Sequence, residues 1–198
     1  MKTKIFCDTA DYNIIKKFAT NNLVQGFTTN PSLMRLAGAK NYENYAKKIL
    51  KICSNKPISF EVFADDADKM IMQGLEIQEW GKNIYVKIPV TNSEGKFSGK
   101  AIRYLSQRHV KLNITAVYTV QQTRKIIKNL NKDTKSIISI FAGRMADVGK
   151  DPVPIFKECV KLSKKHKKVQ ILWASTREPY NFIQAKQTNC DIITMPAK

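Results

Sequence analysis

One lysine of this sequence stands inside a short apolar segment, where a lysine is unexpected. Lys87 lies in the run IYVKIP over residues 84–89, whose β-branched and aromatic residues are typical of a buried strand that ends at the proline. Burial in apolar surroundings disfavours the ammonium form and lowers the pKa of a lysine, leaving a neutral amine that can attack a carbonyl. The alternative is an edge strand whose lysine faces water, which is the commoner case for a lysine considered alone.

Other polar side chains end or follow further strand-like segments of the chain. Each residue of this group either stands at the carboxyl end of an apolar run or lies two positions from another residue of the group. Two residues that are two positions apart in a strand lie on the same face of it. Buried polar groups cost free energy unless they are paired, so a core does not need this many of them. The group consists of Asp8, Asn30, Glu61, Asn113, Thr115, Ser139, Arg144, Ser175 and Arg177, and the aromatic residue Phe141 shares a face with Ser139.

The elements that would position these residues alternate between strand and helix patterns along the whole chain. Eight strand-like segments cover residues 5–8, 23–27, 58–63, 84–88, 110–117, 135–141, 169–174 and 191–195. Helical periodicity separates them, with Thr9 and Asp66 as predicted helix caps. This alternation predicts an α/β protein, and eight strands favour a minimal (β/α)8 TIM barrel over residues 1–198, a single catalytic domain whose last helix is absent or truncated. The catalytic groups of such a barrel lie at the carboxyl ends of its strands.

Composition excludes several classes of protein. The 198 residues are 43% hydrophobic and 25% charged, without an apolar run of 18 residues, so we expect neither a membrane span nor a secretory leader and predict a cytoplasmic protein. Four scattered cysteines and two histidines predict no metal site and no disulfide framework. The formal charge of +18 comes from lysines spread over every helical segment; we interpret most of them as surface residues that also attract small anions.

Six short motifs between residues 6 and 177 resemble those of the transaldolase family, in its small single-barrel branch that also contains fructose 6-phosphate aldolases, and the resemblance extends from residue 6 to residue 196. The resemblance is most specific where TTNPS and VKIP occur together. The motifs are FCDTA at residues 6–10, TTNPS at 28–32, VKIP at 86–89, NIT at 113–115, SIFAGR at 139–144 and ASTR at 174–177.

The resemblance implies a role for each matched residue. Lys87 would form a Schiff base with the C2 carbonyl of a ketose, Glu61 and Thr115 would hold a catalytic water, and Asp8 would exchange a proton with the C4 hydroxyl as C3–C4 breaks. The remaining matches imply substrate contacts. Asn30, Asn113 and Ser139, with Thr29 from the same motif, would hold the dihydroxyacetone unit, and Arg144, Ser175 and Arg177 would bind phosphate. No cofactor or metal is implied.

Three positions separate transaldolases from aldolases in the resembled family. The aldolases carry glutamine, tyrosine and lysine where this chain has Glu61, Phe141 and Arg177. A phenyl ring cannot donate a proton as a phenol does, so the resemblance implies transfer of the three-carbon unit between sugar phosphates rather than its release. We expect phosphorylated sugars as partners, no specific nucleic acid, no membrane, and a homo-oligomer. A fructose 6-phosphate aldolase is the alternative; a basic nucleic-acid-binding or scaffold protein is an alternative of another class.

Overall fold

Eight parallel strands form a closed barrel in the computed structural model, which describes residues 3–197. Each strand pairs with the next in the chain, and β1 also pairs with β8, which closes the ring. The architecture is therefore the (β/α)8 barrel that the alternation predicted. The strands are β1 Lys4–Asp8, β2 Val24–Thr28, β3 Ile58–Glu61, β4 Ile84–Pro89, β5 Leu112–Val117, β6 Ser136–Phe141, β7 Val169–Ala174 and β8 Ile192–Met195.

Helices cover the outside of the barrel, and between residues 3 and 197 none follows β8. Two of the helices are short and were not predicted: α2 begins at Pro31, with two residues between it and the end of β2, and α7 begins directly after β6. The helices are α1 Tyr12–Ala19, α2 Pro31–Leu36, α3 Tyr42–Leu50, α4 Ala67–Glu79, α5 Gly99–Gln107, α6 Val120–Asn129, α7 Ala142–Ala146, α8 Val153–Ser163 and α9 Tyr180–Gln187. Within the described part of the chain, no helix combines the length and apolarity that a membrane crossing needs.

The core has two parts, because the side chains of each strand alternate between the two faces of the sheet. A large cluster fills the space between the strands and the helices. A smaller cluster, which we call the barrel plug, lies inside the ring and consists of Phe6, Tyr85, Ile137, Leu172, Ala174 and Ile192. The plug leaves the polar residues of the strand ends on one side of it.

Some predicted boundaries were wrong. Asp11, and not Thr9, caps α1: its carboxylate accepts from the backbone N–H of Ile14 at 2.9 Å, while the hydroxyl of Thr9 accepts from the N–H of Asp11 at 3.1 Å. Strand β5 begins at residue 112 rather than 110, and β3 ends at Glu61 rather than at residue 63. The predicted cap Asp66 is present at the start of α4.

Candidate active site

Lys87 lies inside the barrel, in the middle of β4, with only 7% of its surface exposed. Its Nζ is 3.1 Å from Oε2 of Glu61 and donates a hydrogen bond of 3.1 Å to the carbonyl oxygen of Thr29. The pairing with Glu61 follows from the sheet, because β3 and β4 are neighbours and place the two residues side by side in register. The lysine does not face water, and its only neighbours at this distance among the described residues are hydrogen-bond acceptors.

Asp8 ends β1 and is held by a threonine of the neighbouring strand. The hydroxyl of Thr28 donates to its carboxylate at 2.5 Å, and the same hydroxyl is 2.6 Å from that of Thr194 on β8. Burial raises the pKa of Asp8 above its ordinary value, while the hydrogen bond from Thr28 and the charge of Lys87 oppose that rise. The carboxyl group is therefore suited to exchange a proton in the interior of the barrel.

A chain of buried polar side chains crosses three strands beside the lysine. The hydroxyl of Ser139 on β6 donates to Oδ1 of Asn113 at 2.6 Å, and Nδ2 of Asn113 donates to the hydroxyl of Ser59 on β3 at 3.0 Å. Ser59 was not predicted as a site residue. Its position two residues before Glu61 in the same strand placed both on one face, and this signal could have identified it.

Thr115 presents a buried hydroxyl to the same space. Its Oγ1 has no hydrogen-bond partner among the described residues, although Thr115 is only 2% exposed. Buried polar atoms are nearly always paired, so an unpaired one marks a position that a ligand or a water can satisfy. The side chain lies on β5, next to the end of the lysine strand.

The residues expected to bind phosphate stand on the loops after β6 and β7. Arg177 donates from Nε and Nη2 to the two carboxylate oxygens of Asp147, at 2.9 and 2.5 Å. Its Nη1 donates to the carbonyl and the hydroxyl of Ser175, both at 3.1 Å. Hydrogen bonding from Arg177, and then the charges of Arg177 and Arg144, lower the pKa of Asp147. Asp147 was not predicted, because only the folded chain brings it to Arg177.

Two backbone features bring these loops together. Ser175 adopts a left-handed conformation with φ 61°, which is uncommon for a residue with a side chain and recurs at functional sites. Its carbonyl oxygen lies so close to Gly143 of α7 that a Cβ atom on Gly143 would be 1.8 Å from it. Glycine at position 143 therefore permits the contact that positions Arg144 and Arg177 on facing segments.

Ten of the twelve candidate residues line one cavity of about 310 Å³ at the carboxyl ends of the strands. The other two are Glu61, which pairs with Lys87, and Thr29, whose carbonyl faces Lys87 while its hydroxyl donates to the carbonyl of Ser59. The cavity is also lined by Thr28, Thr176 and Thr194, which the sequence did not single out.

The side chain of Asn30 has two roles. It lines the cavity, and it caps α2 by accepting a hydrogen bond from the N–H of Leu33 at 2.9 Å. Within residues 3–197, no three histidine, cysteine or acidic side chains come close enough together to hold a metal ion. The four cysteines are buried free thiols.

Comparison with solved structures supports the fold alone. The chain matches an orotidine 5'-monophosphate decarboxylase from Metallosphaera sedula with a TM-score of 0.61 at 12% identity, covering 98% of this chain and 88% of the other.

Comparison with curated sequences identifies the family. Proteins named probable transaldolase are similar to this chain in Thermoplasma volcanium (37% identity over 196 residues), Lactiplantibacillus plantarum (37% over 195) and Herpetosiphon aurantiacus (33% over 196). In each case the match covers 98% of this chain and 84 or 85% of the relative. The family model described as transaldolase/fructose-6-phosphate aldolase matches residues 5–198. With these matches and the barrel described above, the chain belongs to the transaldolase/fructose-6-phosphate aldolase family.

Proposed function

We propose that this protein is a transaldolase that moves a dihydroxyacetone unit from a ketose phosphate to an aldose phosphate through a Schiff base on Lys87. The donor would be sedoheptulose 7-phosphate or fructose 6-phosphate, and the acceptor glyceraldehyde 3-phosphate or erythrose 4-phosphate. The observation that carries the proposal is a buried amine with a carboxylate at 3.1 Å, in a barrel whose cavity also holds Asp8, Arg144 and Arg177. The cavity volume of about 310 Å³ suits a small phosphorylated sugar.

Formation of the imine needs the proton of Lys87 to leave first. Glu61 is the carboxylate in contact with Nζ, so it accepts that proton, and the free amine attacks C2 of the ketose. The carbinolamine then loses water after its hydroxyl is protonated, and a protonated imine forms. The unpaired hydroxyl of Thr115 would hold the water that takes part in this step.

Cleavage follows from the electron demand of the imine. Asp8 accepts the proton of the C4 hydroxyl, the C3–C4 bond breaks, the aldehyde leaves, and the electron pair is delocalised into the imine as an enamine on Lys87. The raised pKa of Asp8 favours this proton uptake. When the acceptor aldehyde arrives, the same steps run in reverse, with Asp8 returning the proton to the new hydroxyl. Ser139, Asn113 and Asn30 would hold the bound three-carbon unit meanwhile.

The phosphate end of the sugar would contact the two guanidinium groups. Arg144 lies in α7 and Arg177 after β7, and both line the cavity together with Ser175. A guanidinium presents a planar set of donors that matches phosphate oxygens. Fixing the phosphate would place C2 of the ketose against Lys87, which is the positioning that a two-substrate transfer requires.

Phe141 favours transfer over release of the three-carbon unit. Its ring lines the cavity and packs edge-on against Tyr118, with 5.8 Å between ring centroids. A phenyl group cannot protonate the enamine, so the unit would stay on Lys87 until an acceptor arrives. Release of free dihydroxyacetone, the aldolase activity, is the second candidate function. We place the transferase in the cytoplasm, in the pentose phosphate pathway, and expect it to act as a homo-oligomer.

Borohydride trapping with fructose 6-phosphate tests the imine. We expect a covalent adduct on Lys87 and none in Lys87→Met, a change that keeps the side-chain volume in the barrel. Lys56 serves as an internal control, because its Nζ donates to three backbone carbonyls within 2.9 Å and should not react. An adduct on Lys56 or on surface lysines, with none on Lys87, would contradict the proposal.

A coupled assay with and without erythrose 4-phosphate separates the two activities. A transaldolase consumes fructose 6-phosphate only when the acceptor is present, whereas an aldolase consumes it in both cases. Phe141→Tyr should raise the acceptor-independent rate, because it supplies a phenolic proton donor in the cavity. An acceptor-independent rate in the unmodified protein equal to the acceptor-dependent one would favour the aldolase.

A further inference from the structure

A second cavity opens at the other end of the barrel, where the strands begin. Its volume is about 1110 Å³, and its lining residues lie at or just before the starts of the eight strands, or near the ends of the helices between them. We call it the basal basin. Phe6, Tyr85 and Ile137 of the barrel plug form part of its lining, and each is at least 92% buried. The plug therefore lies between the basal basin and the cavity that holds Lys87.

Positive charge dominates the basal basin. Seven lysines of the described chain line it, namely Lys4, Lys82, Lys111, Lys135, Lys164, Lys167 and Lys168, and His166 lies among them. Between residues 3 and 197, none of the seven has a carboxylate within ion-pair distance. Among the described residues, Asp191 is the one acidic residue of the lining, and one of its oxygens already accepts from the N–H of Ile171 at 2.8 Å.

Six of these seven lysines are exposed, and Lys111 is partly buried in the basin. Nζ of Lys111 donates to the carbonyl of Lys82 at 2.6 Å and lies 5.9 Å from the ring centroid of Tyr85. Burial and the charge of Lys135 lower the pKa of Lys111, so the ammonium groups of Lys111 and Lys135 repel each other. A lysine-rich surface without a ligand gains nothing from this arrangement, because charges dispersed over the helices repel less. An anion of high charge would remove the repulsion.

The shape and chemistry of the basal basin restrict which anion fits. Strand starts and helix ends surround the basin. A compact molecule therefore fits it better than a nucleic-acid duplex, which needs a long continuous surface. Phe6 and Tyr85 are only 3% and 8% exposed, so among the described residues the lining offers a base little aromatic surface besides the imidazole of His166, and stacking is a main source of affinity for single strands. The cations of the lining, as far as the structure describes it, are lysines without an arginine, which suits phosphates bound by compact ammonium charges.

From this we propose that the basal basin is a binding site for a compact polyphosphate anion, with three or more linked phosphate groups, separate from the cavity at the carboxyl ends of the strands. The chemistry is shared by inorganic tripolyphosphate and by the phosphate chain of a nucleoside triphosphate. The proposal does not depend on the transaldolase reaction, because no residue assigned to that reaction lines the basin.

Calorimetric titration with inorganic tripolyphosphate at low salt tests the proposal in the full chain. The test variant is Lys135→Ala/Lys168→Ala, which removes two exposed lysines of the basin. The control is Lys125→Ala/Lys157→Ala, which removes the same charge from exposed positions on α6 and α8 outside the basin. We expect saturable binding by the unmodified chain, weakened about tenfold in the test variant, which is within the usual range for the loss of two exposed ion pairs, and unchanged in the control.

Further titrations test where the anion binds and which class of anion is recognised. Arg177→Ala should leave tripolyphosphate binding intact, since Arg177 lies at the opposite end of the barrel; loss of binding in that variant would place the anion in the other cavity and overturn the proposal. A nucleoside triphosphate that binds no more tightly than tripolyphosphate indicates that the phosphates alone are recognised, and tighter binding indicates the nucleotide. Equal losses in the test and control variants, the absence of saturation, or tighter binding of a single-stranded RNA would each refute it.

Discussion

Replacing Gly143 by alanine tests how the phosphate-binding corner is built. Gly143 lies in α7 between the cavity residues Phe141 and Arg144, and it faces the carbonyl of Ser175 across the gap between two loops. Two effects of the change have opposite signs. Alanine favours a helix over glycine by about 1 kcal/mol, whereas its Cβ has no room in the observed backbone.

The distances decide which effect dominates. The new Cβ would be 1.8 Å from the carbonyl oxygen of Ser175, and an ordinary contact begins at 3.4 Å, so the two segments must separate by about 1.6 Å. Rotation of a side chain cannot relieve the overlap, because the atom in contact belongs to the backbone. Arg177 moves with the loop, since its Nη1 donates to that carbonyl. A displacement of about 1 Å in a positioning group costs about 10²-fold in rate.

The assay compares a phosphorylated with a phosphate-free ketose. We expect Gly143→Ala to lower kcat/KM for fructose 6-phosphate with erythrose 4-phosphate by about 10²-fold, mainly through KM, and to leave borohydride trapping of dihydroxyacetone on Lys87 intact. Gly81→Ala is the matched control, because the atoms nearest to its Cβ are at 3.4 Å. The reasoning is refuted if the two variants have the same kcat/KM, or if trapping falls as much as the reaction with the phosphorylated sugar.

Three further substitutions separate stability from activity at the strand ends. Thr115→Val removes a buried hydroxyl that has no partner among the described residues, so we expect unfolding to become harder by about 1 kcal/mol while kcat falls. Ser139→Ala leaves Oδ1 of Asn113 without its donor, so we expect destabilisation of about 1–3 kcal/mol. Chemical denaturation measures the stability of Thr115→Val and of Ser139→Ala. A shift of the same sign in the two variants would contradict the argument. Asp8→Asn tests the raised pKa of Asp8. In the unmodified chain the folded state holds the proton of Asp8 more tightly than the unfolded state does. The stability of the unmodified chain therefore falls as the pH rises above 3.8, the ordinary pKa of an aspartate. The variant should therefore gain stability relative to the unmodified chain at pH 7 and lose that advantage below the ordinary pKa, and a pH-independent difference would exclude the linkage.

Much of the barrel was predictable, because its strands and long helices carry their own periodicity. The two short helices were not, since five or six residues hold too little of a 3.6-residue period. For α2 a signal existed: Asn30 followed by Pro31 is a cap followed by a proline in the first turn. For α7 there was none, because its start has no side-chain cap and its conformation depends on the contact between Gly143 and Ser175.

The candidate site residues converge in the structure because the carboxyl ends of parallel strands meet at one end of a closed barrel. What the sequence could not supply were partners from distant segments. Asp147 contacts Arg177 across 30 positions, and Thr194 contacts Thr28 across 166. Neither pair follows from local periodicity, because only the folded barrel brings its two residues together.

The surroundings of Lys87 modify the explanation that the sequence suggested for its reactivity. An apolar strand predicted an amine made neutral by burial alone, and its strand neighbours are indeed buried. The nitrogen itself contacts the carboxylate of Glu61 and the carbonyl of Thr29, two acceptors that match an ammonium group. A carboxylate at this position can both hold the ammonium and take its proton when a ketose enters, whereas a glutamine amide can donate or accept a hydrogen bond but cannot take that proton. Reactivity at Lys87 would then depend on one transferable proton shared with Glu61, and the apolar strand would serve to keep water away from the pair.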